Sequence, residues 1–268
     1  MKIVTLLENT PGANALCKFE HGLSFYIETE NHKMLFDTGA SEFFSENAAI
    51  LDIDLTAIDL VVLSHGHFDH AGGIPKLHKI NPKVKIIAQN TCKENHYNGD
   101  KFIGIDAAIP SFDQWHEISG DLKVDDELYI FTGLEGKKYP ARGNFTMTKE
   151  VASVKTQDDF THEQNLVIKE NGKTVLLCGC AHNGIINILD HYHKLFNAYP
   201  DIVIGGFHLK LDEYTEADFA NVKAIAEELK KLPCKFYTGH CTGPIAYPVL
   251  KEIMGEQLEE LHAGDQVL

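Results

Sequence analysis

The stretch that most constrains this chain is Ser64-His65-Gly66-His67-Phe68-Asp69-His70-Ala71-Gly72-Gly73, which follows the largely apolar run Ile58 to Leu63. An apolar run of that length reads as a buried strand. Residues two apart on an extended segment point the same way, so His65 and His67 can converge on one point. Asp69 and His70 follow where the chain turns and can supply a second point nearby. Gly66, Gly72 and Gly73 let the backbone turn tightly and come close to whatever is bound. Imidazole nitrogen and carboxylate oxygen suit zinc, iron and manganese. Histidines recur just past later strand ends: His182 after Cys178, His208 after Gly205, His240 after Tyr237. Donors gathered from several strand ends are what a pre-organised site requires. Two metals a few ångströms apart take about six to eight protein ligands, and this set supplies them. The stretch is therefore read as a metal site rather than as a solvated histidine-rich loop.

Charge narrows the partners. A formal charge of −15 over 268 residues argues against nucleic acid or an anionic membrane surface as the bulk partner. It leaves a small phosphorylated substrate open, because bound metal reverses the sign of the local field. Met1 to Leu7 turns polar too soon for a signal peptide and reads as a first strand. No run approaches the length of a membrane span. The six cysteines form no Cys-x-x-Cys pair, so a reducing cytoplasm is the expected compartment. Cys180 and Cys241 sit beside candidate ligands, and the other four read as core fillers. No Ser-His-Asp arrangement, phosphate-binding glycine loop or dinucleotide fingerprint competes for the chemistry.

Periodicity gives mixed α and β structure. Short strands are expected over 23–28 and 33–36, a helix with Ser41 as cap, the strand over 58–63, a helix ending before Pro82, and a strand over 84–88. From about 90 to 155 the pattern breaks up, apart from a strand over 128–132. Within that insertion Gly133 to Lys149 could cover substrate, and Lys137, Lys138 and Arg142 could receive phosphate. The rhythm then resumes: strands over 165–169 and 174–178 joined by Glu170-Asn171-Gly172, a helix over 185–196, and a strand over 201–205. A helix opened by Thr215 and Asp218 and a strand over 235–237 complete it.

His-x-His-x-Asp-His after a strand resembles the metallo-β-lactamase superfamily. Further pieces resemble its branch named for 7,8-dihydropterin-6-methyl-4-(β-D-ribofuranosyl)aminobenzene-5′-phosphate synthase. They are Glu20-His21-Gly22-Leu23-Ser24, Leu35-Phe36-Asp37-Thr38-Gly39, Glu163-Gln164, Gly179-Cys180-Ala181-His182-Asn183-Gly184, Gly205-Gly206-Phe207-His208-Leu209 and Gly239-His240-Cys241-Thr242-Gly243. The resemblance implies an α+β fold, a four-layer αβ/βα sandwich, with residues 1–268 as one domain of two αβ halves and the site between the sheet edges. It assigns His65 and His67 to one metal, Asp69 and His70 to the other, and makes His240 the final ligand. The superfamily's bridging aspartate is missing after the strand ending at Cys178. Either Cys180 or His182 could take its place, with His182 favoured. His162 lies near the usual middle histidine, yet Asp158 to Glu163 is so polar that a surface position is expected. His208 is expected to contact substrate phosphate rather than metal, against the alternative of a core-edge histidine. Asp37 is expected below the metal loop, holding a ligand imidazole or the backbone, with His21 at the rim. His32, His78, His96, His116, His191, His193 and His262 are expected to be solvated.

The expected cofactors are two divalent metal ions, zinc first, with manganese or iron as alternatives. Such a pair lowers the pKa of a shared water and stabilises charge on an attacked phosphoryl group. Asp69 could also orient the nucleophile. The expected function is a metal-dependent hydrolase or transferase acting on a small phosphorylated or diphosphorylated substrate. The branch's own reaction, dihydropterin diphosphate condensation with pyrophosphate release, is one form of it. The alternative is a di-iron redox protein of the same fold, against which His67 and the lack of an added flavin domain count.

Overall fold

Apolar side chains alternate with period two along the strands, and this alternation builds the layers. The computed structural model describes residues 1–134 and 137–268. The first half runs β1 (Lys2–Leu7), β2 (Ser24–Glu28), β3 (Lys33–Phe36), α1 (Phe43–Ile50), β4 (Leu60–Val62), α2 (Phe68–Ala71), α3 (Ile74–Ile80) and β5 (Lys85–Gln89). Then come β6 (Asn95–Asn98), β7 (Lys101–Phe102), β8 (Trp115–Ile118), β9 (Leu122–Lys123), β10 (Leu128–Phe131), β11 (Met147–Val151) and β12 (Val154–Gln157). The second half runs β13 (Asn165–Glu170), β14 (Lys173–Leu177), α4 (Ile185–Phe196), β15 (Ile202–Ile204), α5 (Glu216–Lys230), β16 (Lys235–Thr238), α6 (Ala246–Met254) and β17 (Leu258–Glu260).

Two mixed sheets result, ordered β1-β2-β3-β4-β5-β8 and β17-β16-β15-β14-β13-β10-β9. In each, one end pairs antiparallel and the other parallel. Met34, Phe36, Leu60 and Val62 of the first sheet meet Leu166, Ile168, Ile202 and Ile204 of the second in one core. The alternate residues Leu35, Val61 and Ile86 face α1 and α3, while Val167, Leu176 and Val203 face α4, α5 and α6. Three cores between four layers give the αβ/βα sandwich expected above. Metal-loop residues follow the carboxyl ends of β3, β4, β14, β15 and β16, where open α/β sheets place their ligands.

The expected disorder of pattern over 90–155 is corrected by the structure. Besides β8, β9 and β10, which extend the main sheets, β12-β11-β6-β7 form a separate antiparallel sheet. These strands are two to five residues long, and β12 is exposed throughout. They lack the one-sided apolar alternation that would betray them. The C-terminal α6 and β17 were likewise not anticipated. Among the described residues no helix is long and apolar enough to cross a membrane.

Phe36 is fully buried between the sheets. Phe36→Ala is predicted to cost about 3–5 kcal/mol in equilibrium denaturation. A loss under about 1 kcal/mol would mean that the inter-sheet core does not depend on it.

Candidate metal centre

The site is built upward from one buried carboxylate. Asp37 ends β3 in the left-handed region (φ 62°) and is fully buried. Its Oδ1 accepts the Ser64 N–H at 2.7 Å, and its Oδ2 accepts the Ser64 hydroxyl at 2.7 Å and His70 Nδ1–H at 2.6 Å. Because Ser64 Oγ gives its only proton to Asp37, it must accept from His65 Nδ1, 2.8 Å away. His65 and His70 therefore carry their Nδ1 protons toward this support and keep their Nε2 lone pairs free.

The second-half histidines are oriented by amides. Asn9 gives its Nδ2 to the His240 carbonyl at 3.3 Å and takes the Gly22 N–H at Oδ1, which leaves Oδ1 to accept His240 Nδ1–H at 2.9 Å. The His240 N–H goes to the Glu8 carboxylate. Asn144 does the same for His182: Nδ2 donates to the His182 carbonyl at 2.8 Å, and Oδ1 accepts Nδ1–H at 3.0 Å. Buried Glu163 accepts the backbone N–H groups of His182 (2.6 Å) and Asn183 (3.0 Å) and so fixes this loop. Gly179 and Gly206 are required by close approach. A Cβ would lie 2.1 Å from Ser64 Oγ at Gly179 and 2.4 Å from Cys241 Sγ at Gly206.

Of several overlapping donor groups among the described residues, two stand out. In one, His65, His67 and His182 bring one nitrogen each within 4.8 Å of the others, and the Nε2 atoms of His65 and His182 are buried without a partner. In the other, His70 Nε2 lies 3.2 Å from His240 Nε2. With both Nδ1 protons committed elsewhere, these are two lone pairs in contact, a geometry that requires a cation between them. Cys180 Sγ lies 3.3 Å from His70 Nε2, and Asp69 Oδ2 lies 3.4 Å from His240 Nε2 and 3.8 Å from His70 Nε2. A tetrahedral ion with bonds of about 2.0–2.3 Å has ligand–ligand edges of about 3.3–3.8 Å. The donors present fit such an ion.

Electrostatics agree. Burial, with the neighbouring imidazoles, holds His65, His67 and His182 well below the ordinary histidine range, so their nitrogens are neutral. Burial opposes ionisation of Asp69, yet His70, His21 and His240 outweigh it and hold its carboxyl well below the usual range. Burial likewise disfavours charge on His70, but Asp37 and Asp69 raise it. That is the same demand for a cation, answered by a proton. Burial and adjacent Cys241 push the Cys180 thiol up. For Cys241, burial is overcome by Cys180, His208 and His240, which bring it down.

Several expectations need correction. Cys180 and His182 both lie among candidate donors: His182 groups with His65 and His67, Cys180 with His65 and His70, and the two also group together with His208. His162 and Asp158 are buried, not surface residues, and His96 is fully buried rather than solvated. Asp158 accepts His96 Nδ1–H at 2.8 Å, and His162 Nε2 lies 3.4 Å away. His67, His96, Asp158 and His162 have the spacing of a metal site. However, the Gly66 N–H donates to His162 Nδ1 at 2.9 Å, which leaves the His162 proton on Nε2. The cluster thus braces the backbone between His65 and His67, while the Nε2 atoms of His67, His96 and His162 are buried without a hydrogen-bond partner. His32 also has partners, Asp59 and Asp125, each at 2.6 Å.

His208, left-handed at φ 50°, packs its ring 4.0 Å from that of His182, with both ring nitrogens unpartnered. His21, half-exposed, reaches Asp69 at 3.1 Å and stacks on His240. The basic group does not converge: Arg142 Nε pairs with Asp218 at 3.0 Å, its guanidinium also meets the Glu213 carbonyl, and Lys138 pairs with Asp190 at 2.7 Å. Arg142 still lines the open cleft of about 840 Å³ before the centre, with Gly143, Phe145 and Met147. Part of the expected covering segment thus borders the site; residues 135 and 136 lie outside the described residues. Sequence reasoning missed Asn9, Glu8 and Asn144, which carry no local signal, and the role of Glu163, whose motif was visible.

A four-layer αβ/βα sandwich with histidine, aspartate and cysteine donors at its sheet edges defines a class of metal-dependent proteins. The chain belongs to the metallo-β-lactamase superfamily, whose family profile matches residues 18–233. It is 30% identical over 287 aligned positions to 7,8-dihydropterin-6-methyl-4-(β-D-ribofuranosyl)-aminobenzene-5′-phosphate synthase of Methanocaldococcus jannaschii, covering 98% of this chain and 95% of that one. The solved structure of a metal-dependent hydrolase of the β-lactamase superfamily superposes with a TM-score of 0.85 at 26% identity, over 100% of this chain and 98% of the other. A flavo-diiron protein of Clostridium acetobutylicum is 33% identical over 82 residues, 29% of this chain and 20% of its own.

Asp37→Asn tolerates the left-handed backbone but cannot accept from both His70 and Ser64 as the carboxylate does. It is predicted to weaken metal retention about 10–100-fold in chelator competition, with the far-UV spectrum unchanged. Wild-type retention would remove Asp37 from its supporting role. A second prediction concerns acid. Unfolded histidines take up protons near pH 6.5, whereas His65, His67 and His182 do so only at lower pH when folded, so their folding term rises with pH across that window. His162 acts the same way and His70 and His32 oppositely, so it is four against two. The melting temperature of metal-free protein should fall as pH drops below about 6.5; a flat profile from 7 to 5 would contradict the burial of these imidazoles as neutral groups.

Proposed function

We propose that this chain is a two-metal transferase or hydrolase acting on a small substrate that carries a diphosphate or phosphate ester. One ion would be held by His65, His67 and His182, the other by Asp69, His70, His240 and Cys180. The observation that carries the reading is the His70–His240 nitrogen contact, with both Nδ1 protons committed and Cys180 and Asp69 at coordination spacing. When bound, the metals would supply an activated oxygen nucleophile or stabilise a departing diphosphate oxygen.

The chain's own residues would do the rest. Asp69, tied to His21, would orient the attacking group at its free carboxylate edge. His208, with both nitrogens unpartnered beside His182, would donate to a substrate phosphate. Lys101 and Lys210 line the cavities at the centre and have no carboxylate partner among the described residues, so they take over the phosphate-binding role expected of Arg142. The open cleft is within the size range of small-molecule sites. Full-length likeness to the pterin-phosphate synthase favours displacement of diphosphate by a second substrate over simple hydrolysis. All six cysteines are free thiols, which suits a reducing cytoplasm.

The test is metal analysis of anaerobically purified protein, followed by assay of diphosphate release from a dihydropterin diphosphate with and without an arylamine acceptor. About two equivalents of zinc or manganese are expected, one lost in Cys180→Ala and one in His182→Ala, with His67→Ala inactive but folded. A single ion indifferent to Cys180→Ala would sink the second position. Two irons that change oxidation state in air would favour the redox reading that the local flavo-diiron likeness supports.

A further inference from the structure

Of the three histidines grouped as donors to the first ion, His65 is held through Ser64 and His182 by Asn144. His67 has no such support: its Nε2 is buried without a hydrogen-bond partner. It belongs to two groups at once, with His65 and His182 on one side and with His96, Asp158 and His162 on the other. All four members of the second group are buried, and the Nε2 atoms of His96 and His162 are also unpartnered. The small sheet brings them there. His96 sits on β6 and pairs with Lys149 of β11, and the Asp158 N–H donates to the Met147 carbonyl at 3.1 Å. This sheet is fastened to the metal loop as well. The Ile103 N–H donates to the His96 carbonyl at 2.8 Å, the Phe68 N–H donates to the Ile103 carbonyl at 2.9 Å, and His67 bridges to Gly104.

Proton positions decide what the cluster can do. Asp158 Oδ1 accepts the Phe160 N–H at 2.8 Å and Oδ2 accepts His96 Nδ1–H at 2.8 Å, which leaves a lone pair on His96 Nε2. His162 accepts the Gly66 N–H at Nδ1 and keeps its proton on Nε2, where a cation would meet it. The rings also argue against an ion. Those of His96 and His162 lie 4.0 Å apart at 43°, whereas those of His65, His67 and His182 stand 4.6–4.9 Å apart at 69–88°. His96 Nε2 therefore asks for a proton donor. Were the His67 proton on Nδ1, its Nε2 lone pair would face that of His96 and the Asp158 carboxylate, all shut away from bulk water. With the proton on Nε2, a donor meets acceptors, after a small ring rotation or through one shared water. The Nδ1 lone pair is then left for the metal cavity, which His67 lines.

We propose that His96, Asp158 and His162 are a positioning unit for His67, which holds the His67 proton on Nε2 and presents Nδ1 to the first ion. The small sheet of the insertion is the scaffold that delivers this unit to the metal loop. This rests on the two-metal reading above and adds to it what supports the one donor of the first group that neither Asp37 nor Asn144 reaches.

Two measurements test it. Heteronuclear NMR of metal-free protein with isotope-labelled histidine reads the tautomers at neutral pH, and His67 is assigned by its loss in His67→Ala. Wild-type His67 should carry its proton on Nε2. Asp158→Asn, whose amide N–H can donate to His96 Nδ1 and send that ring's proton to Nε2, should reverse both rings. The second measurement is chelator competition on cobalt-loaded protein, in which thiolate-to-metal absorption marks the Cys180 position. The ion beside His182 should be held about 10–100-fold more weakly in Asp158→Asn and His96→Phe, with the Cys180 position unmoved. His96→Gln, whose amide oxygen still accepts, should lose less. A merely structural role would weaken both ions together. A wild-type His67 proton on Nδ1, equal weakening of both ions, or a third equivalent of metal that disappears in His96→Phe overturns the assignment. The two readings fail separately. The expected tautomers with no ion beside His182 remove the two-metal reading and keep the unit, whereas an ion there that Asp158→Asn leaves undisturbed removes the unit alone.

Discussion

One carboxylate sets the geometry on which the site depends. Asp37 fixes the Ser64 backbone and hydroxyl and the His70 ring, and through Ser64 it fixes His65 as well. A single buried anion thereby chooses the tautomer of two imidazoles that belong to different donor groups. It sits where no water can substitute for it, so its own charge is balanced only by the N–H and O–H groups it orients. The donor groups are thus coupled at their base: a change that loosened one ring would also release the proton arrangement of the other.

The surrounding backbone is under strain that a less constrained loop would shed. Asp37, Ala181, His208 and His240 all occupy the left-handed region without being glycine. Each costs on the order of 1–2 kcal/mol. The residues persist there because each is pinned from outside. The Leu209 and Lys210 amides bond the Cys241 carbonyl, Glu8 takes the His240 N–H, and Glu163 takes the amides that follow Ala181. The three apolar cores supply the stability against which this cost is set.

Much of this was legible in the sequence, and the failures have physical causes. The strands of the main sheets announced themselves because one face of each is apolar, and strand-end histidines followed from them. His182 and Cys180 could be nominated but not placed, because which side chains meet His65 depends on how the two sheets dock, a fact with no local trace. The stretch 158–163 was misread for a related reason. Its carboxylates looked solvated, yet Asp158 finds His96, more than sixty positions away, and Glu163 finds the amides of the next loop. Polarity told of partners, and the partners turned out to be protein rather than water. The small sheet around β11 was silent because both of its faces are wet over much of its length.

Gln164 ties the halves together. Its amide donates to the carbonyls of Leu63, just past β4, and Ile87, within β5, and accepts from Gln89, while its own N–H bonds the Ser64 carbonyl. The groups His65, His67, His182 and His65, His70, Cys180 each combine first-loop residues with one more than a hundred positions later. An ion held by either of these groups would need both sheets to have met first. Such an ion would be less a template for folding than cargo delivered to a completed berth, reached through the open cleft.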